Sequence, residues 1–156
     1  GDTVVDLGLP ASIPEDLVPH MPTRMAMYQR LVKAQTLDDL DELPREFEER
    51  FGHQLPDAVH HLIYAARVKI SAREARVASI TRRTDVIIFK LIDQVGGARI
   101  PLERVLGHNT SVGNQQIHMP VAGGDIPWGQ AILEVLALLT DFQRRVPEMA
   151  VQGIIA

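Results

Sequence analysis

The sequence has no cysteine. That excludes a disulfide scaffold, a thiol nucleophile, an iron–sulfur cluster and a thiolate zinc site. Aromatic residues are scarce, 4% of 156, which argues against a platform on which nucleic-acid bases stack. No apolar run approaches the roughly 18 residues that cross a bilayer. The best candidates, 86–89 and 131–139, are short, and the second carries Glu134. Gly1-Asp2-Thr3 is not a basic segment leading into an apolar core, so the start is no signal peptide. Positive charge is not in excess either: 16 basic against 20 acidic residues give a net of −4, a poor generic phosphate binder. These absences fit a cytoplasmic protein with no membrane partner. The chain lacks an initiator Met, so it is expected to be a piece of something longer, with Gly1 left by cloning.

What is present is an ordinary globular composition, 46% hydrophobic and 23% charged, long enough to bury one domain's core. The charge is uneven. Residues 38–49 hold seven acids (Asp38, Asp39, Asp41, Glu42, Glu46, Glu48, Glu49) and one base, Arg45, a local net of −6 that leaves +2 on the rest. Residues 67–83 hold six bases (Arg67, Lys69, Arg73, Arg76, Arg82, Arg83) and one acid, a net of +5. Patches of opposite sign steer partners or pair with each other.

The patterning alternates between the two regular periods. Val5, Leu7 and Leu9 share one face of a short strand that Pro10 ends. Pro10, Pro14, Pro19 and Pro22 make residues 10–22 an ordered connector. Thr23 is the expected N-cap of a helix to about Ala34. Thr36 and Asp39 have capping-box spacing, with Asp in the Glu position. A short acidic helix follows, interrupted near Pro44, which itself opens a helix that Gly52 stops. Pro56-Asp57 opens the clearest helix, to about Ala75, with Val59, Leu62, Ile63, Ala66 and Ile70 on one stripe. Residues 77–81 and 86–92 form a hairpin. A short helix spans 101–106 and a polar loop 109–114. A strand over 115–121 is placed at a sheet edge, because Pro120 cannot donate to a ladder. A last helix runs from about Pro127 to Arg145. Helices segregated from a small antiparallel sheet predict an α+β fold, helices packed against a small, mainly antiparallel sheet. The expected division is a strand and connector over 1–22 and a single α+β domain over 23–156.

Few residues offer chemistry. Gly107 to Gly113 resembles a phosphate loop but lacks the Lys and the spacing. His53, Asp57, His60 and His61 form the best metal-like cluster, since Asp57 and His61 are four apart on a helix. A carboxylate at a helix start needs no metal to explain it, so capping and solvated imidazoles are preferred. The basic run Arg67–Arg83 suits nucleic acid by charge alone and lacks interleaved aromatics. Trp128 serves either as an interface anchor or as an edge-of-core residue. In the acidic run, Glu46 and Glu49 face one way and Phe47 and Phe51 another. Carboxylates so presented suit Arg-rich partners and equally suit a solubilising face.

Several motifs occur in order: Leu9-Pro10, Ile13-Pro14-Glu15-Asp16-Leu17-Val18-Pro19, Arg24 with Tyr28-Gln29-Arg30-Leu31, Glu49-Arg50-Phe51-Gly52 with Leu55-Pro56, and Ala65-Ala66-Arg67. Together they resemble the C-terminal domain of bacterial transcription-repair coupling factors, over roughly residues 5–80. Leu17 stands where that family has Tyr and His20 where it has Asp. His53-Gln54 lengthens the loop before Leu55 by one residue, and a Gly of the family near 75–76 is missing. The resemblance implies a regulatory module with no catalytic residue, cofactor or metal of its own. In such proteins an ATP- and Mg-dependent DNA translocase lies upstream and pushes RNA polymerase off lesions. The C-terminal domain packs on a UvrB-like module, hides the surface that recruits UvrA and restrains the motor. The resemblance puts that contact on acidic residues aligned with Glu46 and Glu49, flanked by Glu42 and Glu48. The alternative is a nucleic-acid-binding accessory domain using Arg67–Arg83, which the acidic net charge and scarce aromatics disfavour.

Overall fold

A computed structural model describes residues 2–151 and 153–155. The chain forms two compact units, one of residues 8–70, the other of residues 1–7 with 71–156. The architecture is α+β, with helices and a five-stranded sheet that is mainly antiparallel.

The first unit is helical. Its helices are α1 (Met21–Lys33), α2 (Asp38–Asp41), α3 (Leu43–Phe51) and α4 (Asp57–Glu74), the last turn of which enters the second unit. Its core gathers Val18, Met27, Leu40, Leu43, Phe47 and Val59, each at most 4% exposed. The proline-rich connector is tied down by Tyr28, whose hydroxyl accepts from the Ile13 N–H at 2.7 Å. Helix α1 starts two residues before the Thr23 cap expected from sequence. His20 caps it instead, its side chain accepting from the Thr23 N–H. Pro22 falls in the first turn, where its missing N–H costs no helical bond. Gly52 ends α3 at φ +116, a conformation that a side-chain-bearing residue rarely takes.

The second unit holds the sheet, in the order β1-β2-β3-β5-β4. Its strands are β1 (Val4–Asp6), β2 (Val77–Arg82), β3 (Val86–Leu91), β4 (Ser111–Val112) and β5 (Gln116–Pro120). Strand β1 pairs parallel with β2, and the other pairs are antiparallel. The alternation read from sequence sets the register. Val5, Ile80, Phe89, Ile117 and Val112 are successive cross-strand partners, one row through all five strands. Ile80, Phe89 and Ile117 are fully buried. Helix α5 (Arg99–Leu106) follows a single 3₁₀ turn (Gly96–Ala98), and α6 spans Trp128–Val151. Ile132, Val135, Leu136, Leu139 and Phe142 of α6 are all buried at helical spacing.

Three expectations change here. Strand β5 lies inside the sheet, not at its edge, because Ser111–Val112 of the supposed polar loop forms β4 alongside it. Pro120 is tolerated because β4 covers only Ile117 and His118, so Pro120 pairs with Val86 alone, past the end of β4. Strand β1 stops at Asp6, before Gly8 turns the backbone at φ +68. Helix α6 runs beyond Arg145 through Pro147. Pro147 is exposed, where solvent can satisfy the carbonyl that its ring leaves unbonded.

Phe89 sits centrally in the buried row, so Phe89→Ala is expected to lower unfolding stability by about 3–5 kcal/mol. The measurement is the urea midpoint at unchanged m-value.

Candidate functional site

The acidic residues fall on α2, α3 and the joint between them. Local chemistry sets α2. The Asp39 carboxylate accepts from the N–H groups of Gln35 and Thr36 at 2.9 and 3.1 Å, and the Thr36 hydroxyl accepts from the Asp39 N–H at 3.3 Å. This is the reciprocal box expected from sequence. Pro44 then lies in the first turn of α3. Apolar burial sets which way α3 faces: Leu40, Leu43 and Phe47 are at most 3% exposed, and Phe51 is half-buried under the Arg50 guanidinium, 5.3 Å from the ring centre. With that stripe inward, Glu42, Glu46 and Glu49 are exposed and Glu48 is half-buried.

These acids already have cationic neighbours. Glu46 accepts a hydrogen bond from Arg30 of α1 in a close ion pair. Arg45 lies 4.0 Å from Glu42 and 3.5 Å from Glu49. Asp41 meets Arg67 of α4 at 3.3 Å. The Arg30 hydrogen bond holds the Glu46 carboxyl below the usual glutamate range and raises the Arg30 guanidinium. The Gln35 and Thr36 backbone bonds likewise hold Asp39 low. Both Arg30 and Glu46 are about half exposed, so water screens the pair and its net stabilisation is small. Arg45 is legible from sequence, three residues from Glu42 and four from Glu49. Arg30 is not, because only the packing of α1 and α3 brings together residues 16 apart.

The other candidates are placed differently. His61 Nδ1 lies 2.7 Å from the Pro10 carbonyl. Among the described residues no three His, Asp or Glu side chains gather around a possible metal position, so His53, Asp57, His60 and His61 do not form a ligand set. Most of the basic run engages partners in the chain: Arg67 with Asp41, Arg73 with Asp2, Arg76 with Asp93, and Arg82 over the Trp128 ring at 4.9 Å. In the Gly107–Gly113 loop, the Glu103 carboxylate accepts from the Val112 N–H at 2.9 Å. That puts negative charge where a phosphate loop offers donors.

Compared with solved structures, the chain has the fold of a crystal structure of the C-terminal domain of a transcription-repair coupling factor. The TM-score is 0.77 at 17% identity, covering 94% of this chain and 96% of that one. Curated relatives include transcription-repair-coupling factors of Escherichia coli (33% identical over 78 residues, half of this chain) and Bacillus subtilis (30% over 93 residues, 60% of this chain). This chain spans only 7% and 8% of their lengths. A family model, the TRCF domain, matches residues 7–96, and the chain belongs to that family. The matched span contains the whole acidic surface. Among the described residues no helix is long and apolar enough to cross a membrane.

Depressed carboxyl groups bind fewer protons folded than unfolded, so the stability they contribute is present at neutral pH and fades on acidification. Loss should begin as pH falls through the ordinary values of 4.5 for Glu46 and 3.8 for Asp39 and continue below them. An Asp39→Asn/Glu46→Gln variant should start less stable and lose less between about pH 6 and about pH 3, measured by urea unfolding across that range.

Proposed function

We propose that this domain is a non-catalytic regulatory module of a transcription-repair coupling factor, and that α3 is its docking face for a UvrB-like module of the same polypeptide. The observation that carries the reading is the exposed row Glu42, Glu46 and Glu49, with Glu48 beside it, held outward by burial of Leu43 and Phe47 inside the family-matched span. Carboxylates so held accept bidentate bonds from arginine. Arg or Lys residues of the UvrB-like module are the complementary groups.

The internal pairs suit a reversible latch. Glu46 exchanges Arg30 for a partner's cation, and Glu42 and Glu49 exchange Arg45. Each exchange replaces one screened surface pair by another, so little free energy opposes release. The shared polypeptide supplies a high effective concentration, which keeps a weak contact closed. Docking hides the surface that recruits UvrA and restrains the upstream translocase, where ATP and Mg bind. Engagement of RNA polymerase and DNA favours the undocked state, and the equilibrium shifts by the difference in contacts. The protein acts in the cytoplasm and this domain makes no direct contact with nucleic acid.

Charge reversal at both positions, Glu46→Arg with Glu49→Arg, in the full-length protein is expected to increase UvrA binding and raise basal ATPase. Arg30→Glu, which breaks the internal pair but keeps the acids, should leave both near wild type. Wild-type UvrA binding and ATPase in the double reversal would overturn the assignment.

A further inference from the structure

The chain's own acids leave one end of the basic run unused. Arg67, Arg73 and Arg76 each meet a carboxylate. Arg82 closes β2 and Arg83 begins the turn to β3. Both are exposed, and among the described residues neither lies within ion-pair distance of an acid.

Arg82 is nevertheless held in place. It pairs across the hairpin with Ile87, which is fully buried. Cross-strand partners share a face of the sheet, so Arg82 leaves the strand on the core side. There its guanidinium carbon sits 4.9 Å from the centre of the Trp128 ring. The Arg83 N–H donates to the Val86 carbonyl at 2.8 Å and closes the turn. Trp128 is half-buried at the start of α6, and Ala131 and Ile132 just beyond it are buried and fix that helix end.

Contact with an indole ring takes up no N–H group of the guanidinium in a hydrogen bond. The five N–H donors of Arg82 therefore stay open to an outside acceptor, in a fork that matches a carboxylate. Ordering the side chain in advance removes much of the entropy cost that weakens ordinary surface pairs. Arg and Trp are also the residue types that concentrate binding energy at protein interfaces.

We propose that Arg82 on Trp128, with Arg83 next to it in the chain, is a docking point for an acidic segment of a partner protein, one of whose carboxylates takes the Arg82 guanidinium as a bidentate pair. Charge complementarity selects the carboxylate, and the surroundings select protein over nucleic acid. Asp85 and Asp125 are exposed in the two adjoining turns, which the Val121 N–H joins by donating to the Asp85 carbonyl at 3.0 Å. They offset the two arginines. A nucleic-acid backbone needs a run of cations along its phosphates, whereas one guanidinium serves one carboxylate. This inference is independent of the acidic face of α3.

Trp128 is the only tryptophan in the chain, so its fluorescence reports this site directly. The probe is capped triglutamate, compared with capped triglutamine and with trithymidylate at equal ionic strength. Triglutamate should change the emission saturably and triglutamine should not. Arg82→Lys keeps the charge but loses the fork, and should weaken triglutamate binding about tenfold. Arg82→Gln should abolish it. If Arg82→Gln does not fold, Arg82→Lys carries the comparison. No saturable response to triglutamate, equal affinity in Arg82→Lys, an equal response to triglutamine, or tighter binding of trithymidylate would each overturn the proposal.

Discussion

The register of the sheet rests on one buried row. Phe89 lies between Ile80 and Ile117, and the row continues to Val5 on one side and Val112 on the other. A slip of one residue in any strand would turn its apolar set to solvent, so burial of this row fixes all five strands together. The same register brings Leu91 to the end of β3, where it lines a cleft with Leu139 and Ile155. It also sets the α4–β2 turn that holds Arg76 against Asp93. Much of this unit's detail follows from a single hydrophobic requirement met fully in four strands, with Val5 of β1 half-buried at the border.

The helical unit applies the same requirement to charge. Nothing in Glu46 or Glu49 dictates where they point. Leu43 and Phe47 do, by needing the interior. Once those are buried, 3.6-residue periodicity leaves the acids outward. The short helix α2 supports this arrangement through Asp39 and Thr36, which satisfy backbone N–H groups that the loop would otherwise leave open. Surface electrostatics here is a by-product of core packing, and the ion pairs with Arg30 and Arg45 trim it without neutralising it.

Elements with a strong period were legible from sequence. The stripe Val59, Ile63 and Ile70 gives α4, the β-rich runs 77–81 and 86–92 give the β2–β3 hairpin, and the acidic face of α3 follows from spacing alone. Boundaries were less so, because they turn on side-chain caps such as His20, a residue with little capping preference by composition. Strand β4 was hidden because two residues carry no period; only pairing with Ile117 and His118 defines it. Missing it misplaced β5 at an edge. The end of α6 was set too early, at Arg145, because the residues after it show no strong pattern, yet the helix continues through the exposed Pro147. The Arg30 partner of Glu46 and the cleft lined by Leu91, Leu139 and Ile155 depend on contacts distant in sequence, which no local pattern records.

Both borders of the sheet are short: β1 has three residues and β4 two. A border strand of ordinary length presents a ladder of unpaired N–H and C=O groups on which another chain can extend the sheet. Here the ladder ends after a rung or two on either side, so backbone-to-backbone recruitment has almost no template. Any protein that adheres to this fold must therefore do so through side chains, by charge or by insertion into a cleft. Recognition is then set by the identity of exposed residues, which point substitutions can retune without touching the sheet.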